Sequence, residues 1–205
     1  MTFPSNCQLK NALVKQDGVS LIIVMIVLTV VSLLGIAGIQ ISSLGEKSAR
    51  NDRDSQIAWQ AAEAALLDAE FDIRAPFSTR SALFAAEEID TSAFEEGCGS
   101  SGNNLGLCAA REVGQPAWLT VDFTQTGAQA RTVSYGQFTN RAFAAGAVGA
   151  QPSRAPRYVV ELVEDPGAGG NCANSSKKCF AYRVTAMGFG LRPEIQAVVQ
   201  GLIRR

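Results

Sequence analysis

A predominantly apolar stretch over residues 19–39 places the strongest constraint on what this chain can fold into. No charged residue lies between Asp17 and Glu46. A helix needs about 20 apolar residues to cross the hydrocarbon core of a bilayer. In lipid a helix satisfies its own backbone hydrogen bonds, whereas a single strand cannot. The sequence therefore predicts an N-terminal helix that anchors the chain in a membrane.

The flanks of the apolar stretch favour a retained anchor over a cleaved secretory signal. The stretch is longer than the apolar region of a signal peptide, and no cleavage site of the Ala-x-Ala type follows it. Lys10 and Lys15 favour a cytoplasmic N-terminus, although Lys47 and Arg50 lie just beyond the other end. The distribution of the cysteines, described below, favours a single-pass chain with its N-terminus inside and its C-terminal part in the periplasm.

Helical periodicity continues beyond the apolar stretch and ends near Pro76. Apolar side chains recur at spacings of three and four residues, as on one face of a helix, at Trp59, Ala62, Leu66, Ala69 and Ile73. Pro76 disfavours the helical conformation of the residue before it, which sets the end of the pattern. A helix over residues 19–74 would measure about 84 Å at about 1.5 Å per residue, far more than the thickness of a bilayer.

The two halves of this helix are therefore expected to pack against different partners. The outer half is predicted to lie against the chain's own sheet through the apolar face just described. The inner half is predicted to pack against other helices through Ile23 and the small residues Gly35 and Gly38. A partner-binding role for the outer face is the alternative, and it is compatible with this arrangement.

Beyond Pro76 the chain consists of short strand-like runs separated by loops rich in Gly and Pro. The predicted strands are residues 118–123, 131–135, 158–163, 180–186 and 195–202. Residues 78–94 are ambiguous, and residues 97–106 are typical of a loop. The predicted fold is α+β, with a small antiparallel sheet packed on the outer half of the long helix. The expected divisions are a leader (1–18), a transmembrane helix half (19–44), a periplasmic helix half (45–75) and a globular head (76–205).

The five cysteines lie on both sides of the apolar stretch. Cys7 precedes it, and four follow it as two local pairs, Cys98 with Cys108 and Cys172 with Cys179. Local pairing is the simplest of the three possible connectivities, and disulfides suit an oxidising compartment such as a periplasm. Zinc is the alternative, but nine and six residues separate the pairs, whereas structural zinc sites favour two to four.

Several classes of function are excluded or weakened by composition. Histidine is absent, which removes Ser-His-Asp and Cys-His catalysis and the commonest metal ligand. The net charge of -1 provides no basic field for nucleic acid. A G-x-G-x-x-G match at residues 97–102 lacks the flanking strand and helix of a dinucleotide site. We therefore predict no catalytic residue, no cofactor and no small-molecule substrate.

An acidic run is the remaining candidate for a metal site. It comprises Glu87, Glu88, Asp90, Glu95 and Glu96. Calcium prefers several oxygen ligands, but the spacing does not match an EF-hand. A solvated face is the better interpretation, and no metal is predicted.

The junction before the apolar stretch resembles that of a type IV pilin precursor. Residues 16–18, Gln-Asp-Gly, are followed directly by Val-Ser-Leu-Ile-Ile. The resemblance implies that a prepilin peptidase cleaves after Gly18 and methylates the new N-terminus on Val19. Residues 43–51 and 61–66 look like the PilX group of minor pilins, and residues 182–190 are similar to the last strands of that group. A pilin-like fold follows from this resemblance.

One departure from most pilins carries information about position in the filament. The fifth residue after the cleavage site is usually Glu in pilins, whereas here it is Ile23. The PilX group and the K-type pseudopilins of type II secretion resemble each other in lacking this Glu. The resemblance implies a minor pilin that helps to initiate type IV pilus assembly in the bacterial inner membrane and then lies at or near the filament tip.

The resemblance also implies partners: minor pilins of the PilV, PilW and FimU/FimT kinds, the major pilin, a large tip adhesin and prepilin peptidase. Two alternatives remain. A K-type pseudopilin would share the fold and serve a secretion system, although that group usually carries a large insertion for which this chain has little room. An unprocessed, membrane-anchored periplasmic binding domain would belong to a different class.

Overall fold

The computed structural model describes residues 19–85, 89–111, 113–146, 148–165 and 179–204. The chain forms two compact units, residues 1–49 and 50–205. The long helix α1 (Val19–Arg74) contributes to both. Gly18 and Cys172, together with Glu87 and Glu88, lie outside the described residues.

The described part of the first unit is the exposed, apolar beginning of α1. Among the described residues, α1 is the one helix that is long and apolar enough to cross a membrane. Two hydroxyl groups in this segment are satisfied by the helix itself, because Thr29 donates to the Ile26 carbonyl and Ser32 to the Leu28 carbonyl, each at 2.7 Å. These two side chains therefore place no unpaired donor on the apolar surface.

The second unit combines the rest of α1 with short helices and a sheet. After α1 come the helices α2 (Ser81–Ala85) and α3 (Ala117–Thr120), and single 3₁₀ turns at Thr91–Ala93, Gly102–Asn104 and Gly127–Gln129. The strands are β1 (Leu107–Ala109), β2 (Val133–Ser134), β3 (Arg157–Glu164), β4 (Phe180–Phe189) and β5 (Gln196–Ile203).

The strands form one sheet in the order β1-β3-β4-β5, and β2 also pairs with β3. The β2–β3, β3–β4 and β4–β5 pairs are antiparallel, whereas β1 runs parallel to β3. The predicted α+β fold is confirmed, and the sheet is mixed rather than purely antiparallel because β1 enters it after a loop instead of a hairpin turn.

The predicted strands at 158–163, 180–186 and 195–202 are confirmed within one to three residues at their ends as β3, β4 and β5. The predicted strand at 118–123 is wrong, because this region begins with the helix α3. Pro116 lies at its N-cap position with φ -60°, and the backbone N–H of Ala117 donates to the buried carboxylate of Glu161 at 2.9 Å. That long-range hydrogen bond supports a helical start over the strand suggested by local composition.

The outer half of α1 packs very closely on the sheet. The helix presents small side chains to the strands, at Ala58, Ala61, Ala62, Ala65 and Ala69, all of which are buried. At Gly188 in β4 a Cβ atom would collide with backbone atoms of this helix, and at Gly201 in β5 it would meet the side chain of Leu66. Glycine opposite alanine therefore sets the helix–sheet distance, as small residues do wherever backbones approach closely.

Candidate functional site

The predicted processing junction lies at the start of the described chain. Val19 is the first residue of α1, while Gly18 is not described. Ile23 is exposed within its own chain. Apart from the neighbouring backbone of the helix itself, no described atom lies within 4 Å of the positions that Cβ atoms would take at Gly35 and Gly38. This surface is therefore open to lipid or to the helices of other chains.

The predicted packing face on the outer half of α1 is partly reproduced. Ala62, Ala69 and Ile73 are fully buried, and Leu66 packs against the core while partly exposed. Trp59 differs from the prediction, since it is 51% exposed and its indole N–H donates to Glu63 at 2.7 Å. The close approach of Gly188 to the helix backbone leaves no room for an indole there. The buried face is rotated toward the alanines instead.

Three aspartates on this buried face were missed by the sequence reasoning. Asp54, Asp68 and Asp72 are all nearly inaccessible to solvent. Asp68 lies about four helical turns from Asp54 and Asp72 about five, so the three aspartates share one side of the helix. Aspartates that recur at helical spacing on the same side as the apolar residues are the sequence signal that could have identified them. A buried carboxylate needs hydrogen-bonding partners, and each of these three has them in the head.

Asp72 is the centre of the most extensive of these clusters. Its carboxylate accepts hydrogen bonds from Ser78 Oγ at 2.7 Å and from the Tyr158 hydroxyl at 2.9 Å. The Arg80 guanidinium donates through Nε at 2.9 Å and also through Nη2. Burial first, and then the Asp72 charge, raise the pKa of Tyr158 well above its ordinary value. The phenol therefore stays protonated and donates to the carboxylate.

Arg80 extends this cluster into the loop between Cys98 and Cys108. It is 1% exposed, and its Nη1 donates to the carbonyls of Asn103 at 3.0 Å and Leu105 at 2.7 Å. Its guanidinium also lies 3.9 Å from the centre of the Phe138 ring. A single buried cation thereby joins α1 to two loops of the head, with its donors satisfied and its face covered.

Asp68 holds the turn that follows β2. Its carboxylate accepts from the backbone N–H of Gly136 at 2.8 Å and from Thr139 Oγ1 at 2.6 Å. Arg141 lies 3.4 Å away and packs over the Phe71 ring at 4.6 Å. Gly136 has φ +77°, and a Cβ there would collide with the Arg141 carbonyl. Glycine is therefore required for the turn to reach the carboxylate.

Two further ion pairs fix the strands. At the beginning of the second unit, Asp54 accepts from Arg192 Nε at 2.9 Å, which ties the β4–β5 connection to α1. Across the β3–β4 pair, the fully buried Glu161 accepts from Arg183 Nε at 2.9 Å as well as from the Ala117 N–H. These contacts join segments that are distant in sequence, so the head and the outer helix form one structural body.

The predicted Cys98–Cys108 disulfide is present. Both residues are fully buried beside Phe123 and Val159, in a small cluster separate from the main core. Arg131 Nη1 donates to the Cys98 carbonyl at 2.7 Å. Cys179 is also disulfide-bonded, but its pairing with Cys172 stays a prediction because Cys172 is not described.

Replacing both Cys98 and Cys108 by Ala is expected to lower the free energy of unfolding by about 2–3 kcal/mol, because the unfolded chain gains the freedom of an open loop. The denaturant midpoint of the full-length protein in detergent would measure this. Treatment of the wild-type chain with a thiol reductant should give an equal or larger shift, because it also opens the disulfide of Cys179. A midpoint that neither change moves would contradict a stabilising role.

The described members of the acidic run, Asp90, Glu95 and Glu96, do not converge on a metal site. Asp90 accepts from the Ser92 N–H at 2.9 Å, and hydrogen bonds from Ser92 lower the pKa of this carboxyl. Glu96 instead pairs with Arg111 at 3.4 Å. In the part of the chain that the structure describes, no group of three or more His, Cys, Asp or Glu side chains is placed to hold a metal ion.

Comparison with protein families gives two matches. Residues 17–67 match the PilX N-terminal family, and residues 104–205 match the C-terminal family of type IV pilus assembly protein PilX. The first match covers the beginning of α1 and most of its outer half. The second covers the sheet and Cys108, one of the two cysteines of the disulfide. No significant match was found among curated proteins or among solved structures.

Proposed function

Since the chain belongs to the PilX family of type IV pilus assembly proteins, we propose that it is a minor pilin that helps to initiate the pilus and lies at or near its tip. The observation that carries this proposal is that the long helix matches the PilX N-terminal family and the sheet-bearing head matches the PilX C-terminal family. The role is structural, since the protein acts by packing against other subunits and needs no catalytic residue.

The proposed location is the bacterial inner membrane, with one pass, the N-terminus inside and the head in the periplasm. The apolar beginning of α1 supports the anchor, and the buried Cys98–Cys108 disulfide supports an oxidising compartment for the head. In this arrangement residues 1–18 form the leader, 19–44 the transmembrane half of the helix, 45–75 its periplasmic half and 76–205 the head.

The proposed tip position rests on Ile23. A pilin with Glu at this place in the helix is thought to dock by pairing with the N-terminal amine of a neighbouring subunit. Ile23 cannot accept that hydrogen bond, so this chain is suited to a position where no earlier subunit has to be recognised. It also avoids the cost of an unpaired charge within the bilayer. Its own amine, on Val19 after cleavage, stays available to the next subunit.

The proposed partners are minor pilins of the PilV, PilW and FimU/FimT kinds, the major pilin and a tip adhesin. The open surface around Gly35 and Gly38 supports packing of this helix against theirs, because small residues let helix backbones approach closely. Transfer of the helix from lipid to a helix bundle leaves its surroundings apolar, so van der Waals packing would determine the stability of the assembly.

N-terminal mass spectrometry of the protein from cells with and without prepilin peptidase tests the proposal. We expect a mature chain that begins at N-methyl-Val19, and we expect Gly18→Ala to abolish this product. Gly45→Ala is the matched control, since it places the same methyl group on an open helix surface and should leave cleavage unchanged. A full-length chain in both strains would instead indicate an unprocessed anchored domain.

Deletion of the protein then distinguishes a role in the type IV pilus from a role in type II secretion. We expect cells without it to lose most of their surface pili, because initiation would fail, and to keep type II secretion. Loss of secretion with normal piliation would contradict the pilus role and favour a K-type pseudopilin. Electron microscopy of surface pili and assay of secreted enzymes, in the same deletion strain and its complemented derivative, give both readouts.

A further inference from the structure

The two edges of the sheet differ in how they are protected. On one side of β3 lie β1 (Leu107–Ala109) and β2 (Val133–Ser134), which are very short. At the other edge lies β5 (Gln196–Ile203), and no described strand pairs with its outer side. At about 3.4 Å per residue, β5 presents roughly 27 Å of strand edge.

Hydrogen bonding at the β4–β5 connection shows which backbone groups of β5 point outward. The Gly190 N–H donates to the Ile195 carbonyl at 2.8 Å. Hydrogen-bonded and non-hydrogen-bonded pairs alternate along an antiparallel ladder. Counting from that pair along the β4–β5 register, Val198, Gln200 and Leu202 occupy non-hydrogen-bonded positions. Their N–H and C=O groups therefore point away from β4.

The side chains of β5 lack the usual devices that protect an edge strand. The strand contains no charged residue and no proline. Val198 is 39% exposed and Leu202 is 51% exposed, on the face of the sheet opposite α1. Edge strands in isolated proteins are commonly protected by charges, prolines or bulges, because an uncharged regular edge is a template for another strand. The composition of β5 is typical of a strand that is paired on both sides.

The direction of β5 argues against a second copy of this chain as that neighbour. Going along β5 from its start to its end, the contacts with α1 advance from Asp54 near Gly190, through Leu66 at Gly201, to Arg74 at Arg204. β5 thus runs in the same direction as α1. Symmetric antiparallel pairing of two β5 strands would make the two α1 segments antiparallel. Since α1 is one continuous helix, that arrangement is unfavourable for two copies whose helices enter one membrane in the same direction, as proposed above.

We propose that the outer edge of β5 binds an extended segment of a different protein chain, which adds a strand to the sheet. The backbone groups of Val198, Gln200 and Leu202 would pair with the segment, as in strand addition to an exposed edge. The side chains of Val198 and Leu202 favour small or apolar residues at alternate positions of the partner. Gln200 already donates to Thr185 Oγ1 at 2.8 Å, so it contributes through its backbone.

Site-resolved amide exchange of the full-length protein tests this proposal, in membranes of piliated cells and after purification in detergent. We expect the Val198, Gln200 and Leu202 amides to exchange about tenfold more slowly, or slower still, in the membranes. Fast exchange in both samples would overturn the proposal. Slow exchange in both would also overturn it, since the chain would then cover its own edge.

Variants at the edge connect the exchange to assembly. Gln200→Pro removes an outward N–H, a position where a strand tolerates proline, and should abolish the protection of Val198 and Leu202 in membranes. If the proline variant does not fold, Val198→Lys with Leu202→Lys tests the same edge. Leu119→Lys, on the equally exposed surface of α3, is the control and should leave protection unchanged. Protection that survives both edge variants would overturn the proposal.

A cysteine at the strand centre distinguishes the second copy from a different chain. Gln200→Cys should give no disulfide-linked homodimer in membranes, and formation of one would support self-pairing and overturn the proposal. N-terminal processing, measured on the same samples, separates this proposal from the proposed function. An unprocessed chain with a protected edge would contradict the pilin role alone, and a processed chain with an unprotected edge would contradict only the strand addition.

Discussion

Replacing Asp72 by Ala is expected to lower the free energy of unfolding of the head by about 3–5 kcal/mol. The carboxylate is fully buried and accepts from Ser78, Arg80 and Tyr158. Its removal leaves the Arg80 guanidinium as an uncompensated buried charge and deprives two hydroxyl groups of their acceptor. Each of these losses carries a desolvation cost that the folded state cannot recover from water.

Denaturant unfolding of the full-length protein in detergent measures this loss, with the fluorescence of Trp59 and Trp118 as the signal. Asp52→Ala is the matched control, because Asp52 lies on the same helix and is exposed. That substitution should change stability by no more than about 0.5 kcal/mol. Equal effects of the two substitutions would show that the buried cluster does not stabilise the head.

A double replacement separates the value of the ion pair from the cost of breaking it. Asp72→Leu combined with Arg80→Met should destabilise by less than the sum of the two single changes, with a coupling of roughly 0.5–3 kcal/mol. A buried pair replaced by apolar groups loses attraction and desolvation cost together. Additive effects would mean that Asp72 and Arg80 act through separate partners.

The elements governed by local pattern were predictable from sequence. Pro76 marks the end of α1 at Arg74, and the alternating exposure of β5 reflects one face toward the helix and one away from it. The Cys98–Cys108 disulfide also joins residues that are close in sequence. Such features need no knowledge of the tertiary structure.

The parts that sequence reasoning missed depend on contacts between distant residues. Asp68 and Thr139 are 71 positions apart, so nothing near Asp68 in the chain indicates that it is buried. The helix α3 was predicted as a strand because its composition is apolar, and the Glu161 carboxylate that supports its start lies 44 residues away. Trp59 was assigned to the core by periodicity. At Gly188, however, β4 approaches the backbone of α1 so closely that a large side chain does not fit between them.

Replacing Gly188 by Ala is expected to destabilise the head by about 1–3 kcal/mol or more. The new Cβ would collide with the Ala58 carbonyl oxygen and the Ala62 backbone nitrogen, and it would lie 2.9 Å from the Ala61 carbonyl carbon. These are backbone atoms within a helix, so they cannot move aside as a side-chain end can. The sheet would have to separate from α1 along the alanine face.

Gly201→Ala is the matched control for this prediction. It adds the same methyl group on the neighbouring strand, where the nearest atom is the Leu66 Cδ1 at 3.1 Å, the end of a flexible side chain. A small rotation of Leu66 would relieve the contact, so we expect a change below about 1 kcal/mol. The two variants should therefore differ clearly in their denaturant midpoints, and Gly188→Ala should also reduce pilus number if the close helix–head contact is needed for assembly. Equal midpoints would show that the helix and sheet are not held at the distance set by Gly188.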